Sequence, residues 1–185
     1  MTPKTISQIR KGQISKSLSI ERTPFIFLDI ETTGLHPEKG AVVTEIAMLN
    51  RYNQFYHWKF VKNHNEQLAV ALEHIMSQLT AGVVVGHNVG FDLGFLAYKS
   101  DLFKGRGPNV WFVDTLGLSK KYCKGISDFK LSSLLQYFDI TVNGQLHTAV
   151  VDAEAVRALF WKLISIGNVE SLNQAKVKRL NWSTF

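Results

Sequence analysis

Asp29 and Glu31 stand two apart in the run Phe27-Leu28-Asp29-Ile30-Glu31. On a strand that spacing sends both carboxylates to one face. Asp92 and Asp152 each fall near the start of a stretch with helical periodicity, so four acids from separate elements have the means to meet at one end of a sheet. Carboxylates gathered in a partly dry site repel one another unless a cation lies among them. An all-oxygen donor set suits Mg²⁺ or Mn²⁺ and not zinc, which prefers nitrogen and sulfur. His147 lies five positions before Asp152 in a loop just ahead of the last helix. There an imidazole, which ordinarily titrates near about pH 6.5, is placed to take a proton from water. Each residue alone has a plainer reading: a solvated strand end for Asp29 and Glu31, a helix-start acid for Asp92 and Asp152, a surface or core histidine for His147. The case for a metal site with a base beside it rests on their combination.

The elements that must position these groups are readable from periodicity. Phe25 to Leu28 is an unbroken apolar run before the two acids, as in a central strand covered on both faces. Val42 to Leu49 and Gln54 to Val61 read as two further strands joined by the polar turn Asn50 to Asn53, giving a three-strand meander. Leu68, Leu72, Ile75, Met76 and Leu79 then recur at helical spacing. Ala81 to Val85 reads as a strand ended by Gly86-His87-Asn88, with helical spacing from Phe91 to Tyr98. Val110 to Val113 repeats the arrangement, ending at Asp114, which is expected to cap the helix after it. Helices are also expected around Leu131 to Phe138 and over Val150 to Ile164. Meander strands followed by strand-helix units predict a three-layer α/β/α domain around a central mixed sheet of five strands.

The chain has 185 residues with 45% hydrophobic composition, enough for one substantial core. Its organisation reads as a basic N-terminal arm over 1–24, a domain over 25–166 and a basic C-terminal tail over 167–185. The formal charge of +6 favours polyanionic partners. Cys123, the single cysteine, excludes an internal disulfide and a multi-cysteine zinc site and is expected to be a buried thiol. No stretch reaches the roughly 18 apolar residues of a membrane span, and no apolar core of a signal peptide follows the first basic residues. No membrane partner is expected, and the chain reads as cytoplasmic.

Three segments together resemble a known family: Phe27 to Leu35 (Phe-Leu-Asp-Ile-Glu-Thr-Thr-Gly-Leu), Gly86 to Asp92 (Gly-His-Asn-Val-Gly-Phe-Asp) and His147 to Glu154 (His-Thr-Ala-Val-Val-Asp-Ala-Glu). They are similar, in order, to the three motifs of the DEDDh 3′-to-5′ exonucleases, and most of all to the epsilon proofreading subunits of bacterial DNA polymerase III. The resemblance covers about residues 25 to 165. It implies a ribonuclease H-like fold and hydrolysis of phosphodiesters to nucleoside 5′-monophosphates by two divalent ions, Mg²⁺ or Mn²⁺. Asp29 would bridge both ions, Glu31 and Asp152 would hold the one that activates water, and Asp92 would support the other chiefly through its waters. His147 would be the general base. Thr32, Thr33, Gly34 and Leu35 match the segment that cradles the terminal nucleotide, with Leu35 as an apolar wedge against its base or, alternatively, an ordinary packing residue. His87 and Asn88 are expected to fix the turn before Asp92, with substrate contact as their alternative. Lys130 reads as a solvated lysine or a phosphate contact.

The pattern departs from the family in one place. Relatives resembling epsilon carry a longer segment with a His-Gly-Ile-Thr-like motif after the third strand, whereas here Val61 runs almost directly into the helix at 65–80. The groove is therefore expected to be more open on that side, with the basic arm making up the missing contacts. Single-stranded DNA is the expected substrate. RNA or short oligoribonucleotides are the alternative, because no residue declares itself for or against a 2′ hydroxyl. A subunit working within a polymerase or repair complex is a further reading, and a fold kept only for binding a lesser one.

Overall fold

The computed structural model describes residues 14–99 and 109–180. Lys4, Arg10 and Lys11 of the expected arm lie outside the described residues. Strands β1 (Phe25–Thr32), β2 (Val43–Asn50) and β3 (Phe55–Lys59) form the meander. Helix α1 (His64–Leu79), strand β4 (Val83–Gly86), helix α2 (Val89–Lys99), strand β5 (Trp111–Asp114) and helices α3 (Thr115–Tyr122), α4 (Leu131–Tyr137) and α5 (Ala149–Ile166) follow, and β6 (Lys178–Arg179) closes the order. The sheet runs β3-β2-β1-β4-β5-β6. The pairs β1/β2, β2/β3 and β5/β6 are antiparallel, while β1/β4 and β4/β5 are parallel.

The alternation of side chains along β1 builds both layers of the core. Ile26, Leu28 and Ile30 join the cluster that includes Leu68, Leu72 and Ile75 of α1 and Leu93 and Leu96 of α2. Phe25 and Phe27 join the opposite cluster, with Leu159, Phe160 and Leu163 of α5. Edge contacts sharpen that second layer, with Phe25 and Phe160 ring centres 4.8 Å apart. Asp29 and Glu31 continue the row of Phe25 and Phe27, so the face that begins as core under α5 ends as a carboxylate edge where α5 starts. Ala47 of β2 packs on Ala149 and Ala153, and these small side chains let the first turns of α5 approach the sheet closely.

Among the described residues the sheet has six strands where five are expected. The extra strand β6 is two exposed basic residues, paired as Trp111↔Arg179 and Phe112↔Lys178, and a pair that short and polar carries no alternation to read. It comes from the expected tail, whose described part is packed: Val169, Leu172, Ala175 and Val177 are buried in the α5-side cluster. The described end of the arm meets it. Ile20 is buried in the same cluster, Ile20 N–H donates to Glu170 O at 2.9 Å, and Leu172 N–H donates to Leu18 O at 3.0 Å. Arg51 pins this segment through its guanidinium, which donates to the carbonyls of Glu21 (2.6 Å) and Thr23 (2.7 Å) and lies over the Trp161 ring. Among the described residues no helix is long and apolar enough to cross a membrane.

Candidate active site

Asp29 and Glu31 sit in the last half of β1, opposite Ala47 and Glu45 of β2. The register shifts between Glu31, paired with Glu45, and Thr32, paired with Val43, so the ladder is irregular directly after the second acid. Asp92 lies in the first turn of α2 and is buried. Its Oδ1 accepts the Ile30 N–H at 3.2 Å, which ties the helix to the strand between the two β1 acids. Asp152 is in the first turn of α5. Carboxylate oxygens of Asp29, Glu31 and Asp152 all lie within 4.8 Å of one another, and Asp92 stands outside that trio.

The electrostatics describe a site short of positive charge. Burial first, and then the charges of Asp92, Asp152, Glu31 and Glu45, push Asp29 up to about 10. Burial raises Asp92 to about 7 against the pull of its own backbone N–H and that of Ile30. Glu31 is raised by burial, then by Asp152 and Glu45, with His147 acting in the opposite sense. Asp152 is raised by burial, opposed by the His147 amide and charge. Oxygen donors crowded to this spacing, and destabilised as anions, fit divalent cations of the Mg²⁺ or Mn²⁺ kind. Asp29, Glu31 and Asp152, whose oxygens converge, could hold such an ion.

His147 is exposed, at φ 72°. Its backbone N–H reaches Asp152 Oδ1 at 3.4 Å, so the loop carrying the imidazole is tethered to a carboxylate of the trio while the ring stays free to face solvent. Next to the acids, Thr32 Oγ1 donates to Gly34 O at 2.7 Å and Val42 N–H donates to Thr33 Oγ1 at 3.0 Å, folding residues 32–35 into a fixed turn. Leu35 at its tip is 73% exposed.

The turn after β4 is held by Gly86, His87 and Asp114. His87 Nε2–H donates to Phe129 O at 2.8 Å and its Nδ1 lies 3.0 Å from Thr115 Oγ1, so both ring nitrogens are engaged within the protein. Burial lowers its pKa. Asn88 has an exposed side chain at φ 61°, and its N–H donates to Asp114 Oδ1. The same oxygen caps α3 through Leu116 N–H. The exposed Lys130 occupies the N-cap position of α4. A Cβ on Gly86 would lie 2.7 Å from Val89 Cβ and 3.2 Å from Leu28 O, so α2 can start this close to β1 only over a glycine. Gly86→Ala is expected to cost about 1–3 kcal/mol by overpacking, read by urea denaturation, and to lower activity with it because Asp92 rides on that helix.

Sequence reasoning missed Glu45, which is 8% exposed and adds its field to Asp29 and Glu31. It also missed His57, whose ring donates to Glu45. The signal lay in the β1/β2 register, which places the acid of Val43-Thr44-Glu45 across from Glu31.

Known proteins resemble the chain at each of these levels. The family described as RNase_T, exonuclease, matches residues 57–160, a stretch that holds Asp92, His147 and Asp152 and begins after the strand of Asp29 and Glu31. The chain is 27% identical over 164 residues to the 3′-5′ exonuclease DinG of Bacillus subtilis (strain 168), across 76% of this chain and 17% of that protein. It is 27% identical over 165 residues to a PolC-type DNA polymerase III of Oceanobacillus iheyensis, across 76% of this chain and 11% of that protein. The chain thus spans less than a fifth of the length of either relative. In fold it is similar to the family B DNA polymerase of Pyrobaculum calidifontis, with a TM-score of 0.61, 15% identity, and coverage of 83% of this chain and 27% of that one. The mixed-sheet α/β architecture is ribonuclease H-like in fold and is similar to that of S. pombe Pop2p, with a TM-score of 0.56, 13% identity, and coverage of 79% of this chain and 84% of that one. With more than half its length matched by the family, the chain belongs to the RNase_T exonucleases.

Proposed function

We propose that this chain removes nucleotides one at a time from the 3′ end of single-stranded DNA and releases nucleoside 5′-monophosphates. The observation that supports it most is the convergence of Asp29, Glu31 and Asp152 oxygens within 4.8 Å beside the tethered, exposed His147. Two divalent cations, Mg²⁺ or Mn²⁺, supply the positive charge that stabilises the attacking and leaving oxygens. Asp29, Glu31 and Asp152 hold that charge in place, and Asp92 fixes β1 through the Ile30 amide and backs the site with its own carboxylate. His147 accepts the proton of the attacking water at a ring nitrogen. Water oxygen bonds to phosphorus as the bond from phosphorus to the 3′ oxygen of the preceding nucleotide breaks, and that oxygen leaves as a new 3′ hydroxyl after taking a proton from solvent. The turn over 32–35 cradles the terminal nucleotide, with Leu35 against its base, while His87 and Asn88 shape the floor beneath.

The test separates end, product and sugar. Matched 5′-labelled single-stranded DNA and RNA are incubated with the protein and Mn²⁺, and products are resolved by length and by chromatography of the mononucleotides. Stepwise ladders with nucleoside 5′-monophosphates, faster on DNA, are expected. Faster loss of RNA would move the substrate to the ribonucleic class, and internal cuts would overturn the exonuclease reading.

The basic arm supplies phosphate contacts beyond the terminal nucleotide. Residues from about 14 onward pack against the tail, so the truncation that tests this removes only 1–13, with Lys4, Arg10 and Lys11. It is expected to weaken DNA binding and to reduce the salt slope by up to about two or three, because each lost contact removes one counterion-release contribution. An unchanged slope would exclude the arm from the DNA path. The match to small parts of proteins named as polymerases also supports work in a polymerase-containing complex in the cytoplasm, for which co-elution with the polymerase is the test.

A further inference from the structure

Glu45 poses a problem that the four motif acids do not solve. It faces Glu31 directly across the antiparallel β1/β2 pair, where like charges are destabilising, and it is only 8% exposed, where a lone carboxylate is costly. One compensating contact is present: His57 of the edge strand β3 reaches from its position beside Ala47, and its Nε2–H donates to Glu45 Oε1 at 2.8 Å. Glu45 stands outside the trio whose oxygens approach within 4.8 Å, so it is not placed as a direct ligand. Its charge nonetheless acts on both Asp29 and Glu31.

We propose that the Glu45–His57 pair is a positioning unit of the metal centre, in which His57 fixes Glu45 behind Asp29 and Glu31 so that its negative charge strengthens their hold on a divalent cation. The proposal rests on the metal-dependent reading above. It makes the edge strand part of the active site and gives a role to a fifth acid in a cluster already crowded with anions. Partners behind the residues that touch a metal commonly change its affinity by about 10–100-fold when removed.

The experiment titrates the full chain with Mn²⁺ alone, without nucleic acid, by calorimetry at one fixed pH, and records melting in EDTA for each variant. Glu45→Gln is expected to bind Mn²⁺ about tenfold more weakly while melting in EDTA no lower than the wild type, a combination that loss of a merely structural contact does not give. His57→Leu is expected to weaken Mn²⁺ binding in the same direction and His57→Gln, which keeps a donor, to restore most of it. Wild-type affinity in Glu45→Gln overturns the proposal, as does wild-type affinity in His57→Leu should Glu45→Gln fail to fold. A wild-type protein that binds Mn²⁺ yet degrades no nucleic acid would defeat the proposed function while still letting these variants decide the pair. A wild type that binds no Mn²⁺ defeats both.

Discussion

Asp29→Asn is expected to abolish nucleic-acid hydrolysis and, at the same time, to stabilise the metal-free protein. The two effects have one cause. Asp29 is where the site concentrates its demand for positive charge: burial and four neighbouring carboxylates raise it to about 10. The folded chain therefore keeps a proton that the unfolded chain, with the ordinary aspartate value near 3.8, has already released. A raised carboxylate contributes its stability fully below about pH 4 and loses it as pH climbs towards 10, by at most about 1.4 kcal/mol per pH unit for one proton. At pH 8 without metal the asparagine variant escapes that loss, and for a chain of this size each kcal/mol moves the melting temperature by about 2–4 °C. Its stability should also fall less steeply with pH, with Asp92, raised to about 7, leaving the remaining slope below neutrality. Added Mn²⁺ should raise the wild-type melting temperature and barely move the variant's. Activity should fall by about a thousandfold or more, the equivalent of about 4 kcal/mol of lost transition-state stabilisation. Melting curves in EDTA and in Mn²⁺ at pH 5 and pH 8 check the sign of each statement, and a variant that melts lower than wild type at pH 8 in EDTA would contradict this electrostatic account.

His147→Ala is expected to produce the opposite dissociation, with metal binding kept and turnover lost. The imidazole is exposed on a loop whose amide reaches Asp152, so alanine keeps the tether and removes only the ring. Loss of a general base typically costs about 10²–10⁴-fold in rate. The loss should fall on kcat, with Mn²⁺ affinity within about threefold of wild type and little change in KM, because the ring's contribution belongs to the transition state. Single-turnover rates beside Mn²⁺ calorimetry separate these outcomes. A parallel loss of metal affinity would make His147 a contributor to the metal site and leave the base unassigned.

The legible parts of this protein were those written in local periodicity and in short motifs. An unbroken apolar run ending in two acids can be a strand only if both faces are covered, and β1 meets that condition between α2 and α5. The helices α1, α2 and α5 follow their apolar spacing to within a few residues. Asp114 was legible as a cap because a short acid at the end of a strand has few other local roles. What escaped depends on long-range partners. Glu45 gains its meaning only from its register opposite Glu31, and that register is set by the whole β1/β2 ladder. Val169, Leu172, Ala175 and Val177 are buried without a regular helical or strand period, so the segment read as a polar tail. Strand β6 exists because β5 leaves an edge for Lys178 and Arg179 to pair with, which nothing in those two basic residues announces. His87 reads as a turn residue, and the partners through which it holds that turn, Thr115 and Phe129, lie 28 and 42 positions away, beyond any local pattern.

The account stands most directly on one comparison: 5′-labelled single-stranded DNA incubated with wild-type protein in Mg²⁺, in Mn²⁺ and in EDTA, beside Asp29→Ala under the same conditions. The expected result is progressive shortening from the 3′ end with either metal, none in EDTA, and none by the variant. Shortening that persists in EDTA, or that Asp29→Ala performs at the wild-type rate, would contradict the assignment of catalysis to cations held by this carboxylate cluster.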